Sequence, residues 1–183
     1  MDVKVKGSGQ DIYSVLCMIA GALPLAAIIA MSILTKDFVL FRDYLSDLGV
    51  GSYGFVFNLS LIAAGLLLIP FILHLYKSRP YKHLVALFLA AIIALFGVGM
   101  FPSSSWVHGY ASGAFFLLAF ATIFFAGVSM KRGKAISIAV SLLGFAGLAV
   151  FSPFVETVQV FAIGLWVIGV GFFSLRNRDV LEK

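Results

Sequence analysis

The sequence predicts an all-α polytopic membrane protein: a bundle of six transmembrane helices with a short amphipathic extracytoplasmic segment between spans one and two. Three observations carry this reading. Of 183 residues, 62% are hydrophobic and only 11% are charged, a composition outside the range of globular chains. Six apolar stretches answer to the roughly 17–25 residues that a helix needs to cross ~30 Å of hydrocarbon. None of them alternates with period two, which excludes a β-barrel in practice.

The stretches cover residues 12–34, 53–76, 84–101, 109–130, 135–151 and 155–175, within a single domain of residues 1–183. The first, Ile12 to Leu34, is too long for the apolar core of a signal peptide and lacks a clear small-residue cleavage site, so it reads as a retained span. Pro24 and Pro70 fall inside spans one and two, where each removes a backbone donor. Pro102 and Pro153 close the outward ends of spans three and five. The fifth span is the shortest. Gly109 with Gly113, and Ser137 with Ser141, recur at the spacing that lets helix backbones approach in lipid, so both pairs are expected at helix contacts.

Charge sets the orientation. The thirteen basic residues fall in small groups between apolar runs and form no basic face, which argues against nucleic acid as a partner. With the N-terminus inside, the inner segments hold Lys4, Lys6, Lys77, Arg79, Lys82, Lys131, Arg132, Lys134, Arg176, Arg178 and Lys183, against Lys36 and Arg42 outside. The positive-inside rule therefore predicts a multi-pass protein of the cell membrane with both termini cytoplasmic. Trp106, Tyr53 and Tyr110 then form an outer aromatic belt. The single cysteine, Cys17, allows neither an intramolecular disulfide nor a thiolate metal cluster.

The long polar interruption from Thr35 to Tyr53 is the most informative stretch. Read as a helix over Phe41 to Leu48, it places Asp43 and Asp47 on one face and makes the segment a cap over the bundle. The middles of the spans lack ionisable residues, which argues against proton-coupled transport, voltage sensing or carriage of a charged substrate. What chemistry there is gathers outside: His108 opens span four, Glu156 starts span six, and Asp43 and Asp47 come from the first outer loop. These four are the candidate catalytic residues, as an acid/base pair or as ligands of a metal whose bound water attacks a lipid ester or amide. No cofactor is expected; a divalent metal on His108, Glu156 and Asp47 is the alternative. The blander reading makes Glu156 and His108 helix N-terminal caps, with the aspartates balancing Arg42 and Lys36. Ser46, Asn58, Ser112 and Gln159 either hydrogen-bond between helices or line a small outward pocket, whose natural occupant is lipid.

The outer motif Ser46-Asp47-Leu48-Gly49, Phe57-Asn58 at the head of span two, and Phe101-Pro102 with His108 resemble the prokaryotic multi-pass family of domain of unknown function 998. The resemblance implies a six-helix membrane protein and marks Ser46, Leu48, Gly49, Asn58, Pro102 and His108 as family-like; it carries no activity, cofactor or substrate. The role expected from the residues is non-catalytic: a lipid-interacting or accessory subunit of a membrane assembly. The partners expected are membrane lipids, with partner subunits or further copies of the chain. The alternatives are an intramembrane lipid hydrolase or similar enzyme using the outward Asp/His/Glu set, and a carrier of a small hydrophobic molecule.

Overall fold

The computed structural model describes residues 8–77, 82–129 and 133–176. Among them are six α-helices, α1 (Ser8–Leu34), α2 (Gly54–Lys77), α3 (Lys82–Met100), α4 (Trp106–Ser129), α5 (Lys134–Gly147) and α6 (Pro153–Arg176). A five-residue 3₁₀ helix, Leu45–Gly49, lies between α1 and α2 and is called the cap here. No strand occurs among the described residues. The helices α1, α2, α4 and α6 are long and apolar enough to cross a membrane. The other two apolar helices are shorter, and the 14 residues of α5 rise only ~21 Å at 1.5 Å per residue.

Neighbouring helices run antiparallel. Ile28 and Met31 meet Phe57 and Leu61 at one end of the α1–α2 pair, while Cys17 meets Phe71 and Ile72 at the other. The order across the bundle is α5, α4, α3, α2, α1, α6, so that α6 packs chiefly on α1 and only lightly on α4 and α5. Ser14 Oγ donates to Ser174 Oγ at 3.1 Å, which places the first and last helical turns at one end. Lys77, Lys82, Lys134 and Arg176 close helices at that end, opposite Lys36 and Arg42. Lys4, Lys6, Arg79, Lys131, Arg132, Arg178 and Lys183 lie outside the described residues.

Between helices in lipid, apolar burial supplies little drive, so close approach has to supply the packing energy. Helices α1 and α6 show this directly: a Cβ on Gly21 would lie 2.7 Å from the carbonyl oxygen of Gly164. The outward faces remain apolar; Ile93 is 70% exposed and Leu143 is 74% exposed. Such faces fit hydrocarbon and make this an integral membrane protein.

Two seams are closed by polar bonds. Gln159 Nε2 of α6 donates to the Gly144 carbonyl of α5 at 2.9 Å. Trp166 Nε1 donates to Ser137 Oγ, also at 2.9 Å. These two bonds cross the sparse α5–α6 contact.

Several expectations need correction. No helix covers Phe41 to Leu48. Phe41 adopts φ 70°, in the left-handed region that an aromatic residue rarely enters, and Tyr44 is extended, so only Leu45–Gly49 winds, as a 3₁₀ turn. Span five stops at Gly147, before the expected Phe151: the chain turns at 148–149, and residues 150–152 form no helix ahead of Pro153, which disfavours helical backbone in the residue before it. Gly109 and Gly113 make no helix contact: a Cβ on either would meet nothing within 4 Å. Ser137 and Ser141, by contrast, are buried, and a Cβ on Gly127 would lie 2.6 Å from that of Ser137.

A capped polar cluster as candidate functional site

The cap is held down by its own apolar residues. Leu45 and Leu48 are 1% and 2% exposed, and with Phe38 they join Ile28, Met31, Phe57, Leu61 and Leu95 in one cluster. Polar bonds then fix it. Asn58 Nδ2 of α2 donates to the Gly49 carbonyl at 3.0 Å. The Leu45 N–H donates to Glu156 Oε2 of α6, also at 3.0 Å.

Glu156 therefore does not cap its own helix. Ser152 does that, its Oγ accepting the Val155 N–H at 3.2 Å, with Pro153 at the first helical position where a missing N–H costs nothing. The start of α4 is handled the same way: Ser105 Oγ accepts the Val107 N–H at 3.3 Å. His108 is thereby spared capping duty and sits inside the first turn of α4, only 7% exposed. Its Nδ1 lies 2.9 Å from the Phe101 carbonyl. A carbonyl can only accept, so Nδ1 carries the proton and, in the neutral ring, Nε2 presents a lone pair.

Under the cap lies an apolar cavity of about 110 Å³, walled by residues of five helices, among them Pro24, Leu61, Leu95, Phe115 and Ile163. A wider cleft of about 400 Å³ runs from the cap along α4 towards the α5–α6 turn, beside Gly109, Gly113 and Phe151. Ser46, His108, Ser112 and Glu156 line both spaces and so form the polar junction between them. His108 and Ser112, four residues apart on α4, share one helix face. Among the described residues these four side chains make no hydrogen bond to one another, and no Lys or Arg lines either space.

The other candidates stand apart. Asp43 folds back on its own loop: Oδ2 accepts the Val39 N–H at 2.6 Å, and Oδ1 faces Arg42 Nε at 3.4 Å. The Val39 N–H first, and Arg42 second, hold its carboxyl below the usual carboxylate range. A lowered folded-state pKa means that its hold on the loop is present at neutral pH and is lost as pH falls through that lowered value. Asp47 is exposed and lies near Glu156. Asn58 lines neither space, and Gln159 lines the cleft with its amide engaged by Gly144. Among the described residues, no three His, Cys, Asp or Glu side chains are grouped to hold a metal ion, so His108, Glu156 and Asp47 do not assemble as a ligand shell.

Fold and site together define a helical integral membrane protein with a capped, mostly apolar cavity whose polar groups gather at one end. Residues 18–174 match the family model described as "Protein of unknown function (DUF998)", and the chain belongs to that family. No curated protein and no solved structure matches the chain.

Proposed function

We propose that the protein binds a membrane lipid without transforming it. The polar end of the lipid sits among Ser46, His108, Ser112 and Glu156, and its chain leaves along the cleft into the bilayer. The observation that carries this reading is the junction itself, a buried polar cluster set where an apolar cavity meets an apolar cleft. At about 110 Å³ the inner cavity takes only a short group, since a cavity of ~150 Å³ holds one benzene. The longer part of the occupant therefore needs the cleft. The four side chains are unbonded to one another, which suits a binding rim better than a hydrogen-bonded nucleophile–base pair. In this reading all six helices cross the bilayer, with α5 and its flanking turns accommodated by local thinning. The cap faces the extracytoplasmic side and the termini face the cytoplasm, an orientation supported by the positive-inside rule.

Gly113→Leu tests it. A Cβ there would meet nothing within 4 Å, so the backbone need not move and the thermal unfolding temperature in detergent should be unchanged, while the new side chain occupies the cleft. Labelling by a photoactivatable long-chain lipid should fall by about tenfold, the effect of losing ~1.4 kcal/mol of contact. Unchanged labelling of the variant would remove the cleft from the account.

A further inference from the structure

Resting on the lipid-binding reading, we infer that the lipid held at this junction is uncharged and bears free hydroxyls, an acylglycerol with vicinal hydroxyls being the simplest example. His108 is 7% exposed, and among the described residues its Nε2 has no hydrogen-bond partner. The residue lines both the apolar cavity and the cleft. Glu156 is engaged by the backbone N–H groups of Leu45 and Ser46 and keeps acceptor capacity on its two oxygens. The two serines can give or take a hydrogen bond. The site is thus rich in acceptors, and a ligand must bring donors or leave them unpaired in a desolvated place.

Charge narrows the class further. A phosphate head would bring acceptors and negative charge beside Glu156 and Asp47. No Lys or Arg among the described residues lines either space, and Arg42 of the cap loop is turned to Asp43, so no fixed cation stands ready for a phosphate. Like charges brought together away from water are a strong discriminator. Hydroxyls, which both give and take a hydrogen bond, satisfy Nε2 and the Glu156 carboxyl together without adding charge.

The test uses the full chain in phosphatidylcholine nanodiscs. A monoacylglycerol and the lysophosphatidate of the same acyl chain compete at equal concentration, and the bound species are read by native mass spectrometry. The monoacylglycerol should be preferred by about tenfold or more, and Glu156→Gln, which keeps the shape and removes the charge, should bring the two towards parity. If the lysophosphatidate binds as well as the monoacylglycerol in the unaltered chain, the headgroup assignment is wrong while lipid binding stands. If neither is retained, lipid binding itself fails.

Discussion

Gly144→Val is expected to destabilise the bundle by about 2–3 kcal/mol, the upper range for overpacking a filled core. A Cβ at this position would run into three ring atoms of Phe120. The ring has nowhere to go: Phe120 is fully buried, stacked against Phe116 at 6.4 Å and edge-on to Phe145 at 6.1 Å. Relief must therefore come from moving α5 off α4. That movement also stretches the Gln159 bond to the Gly144 carbonyl, one of the two polar ties between α5 and α6. Thermal unfolding in detergent would show the loss, and an unshifted transition would mean that α4 and α5 do not pack as described.

Glu156 supplies the second large effect. Glu156→Ala removes the acceptor for the Leu45 N–H, on a residue only 1% exposed. A buried amide left without a partner costs about 1–3 kcal/mol, and the cap is a five-residue segment whose other side-chain tie among the described residues is Asn58 to Gly49, so local opening should absorb the cost. Hydrogen exchange at Leu45 should accelerate strongly in Glu156→Ala. It should stay near the original rate in Glu156→Gln, whose side-chain oxygen still accepts. Equal exchange in both variants would show that charge, and not the hydrogen bond, seats the cap.

How far the sequence reveals this molecule depends on the kind of signal. Helix positions are legible because long apolar runs between polar breaks leave the backbone few choices in lipid. The gathering of His108, Glu156, Ser46 and Ser112 at one end follows from counting crossings, since antiparallel helices carry each of these to the same end. What the sequence hides is side-chain direction. Asp43 and Asp47 look like partners of His108 at helical spacing, yet the left-handed turn at Phe41, which nothing in the local residues announces, swings Asp43 onto Val39. Gly109 and Gly113 have the spacing of a helix contact, but small residues serve an empty groove equally well, and here they line one. The indole N–H of Trp166 reaches Ser137 across 29 positions, a pairing no local pattern encodes.

The central claim is that the cap and α4 together form one lipid-filled junction. A chain carrying Ser46→Cys and Ser112→Cys, with the buried Cys17 left in place, tests it most directly through cross-linking by a short bifunctional thiol reagent. The two positions line the same space, so the pair should cross-link readily in delipidated protein and slowly when monoacylglycerol saturates the site. Failure of the pair to cross-link, or a rate indifferent to the lipid, would contradict the account.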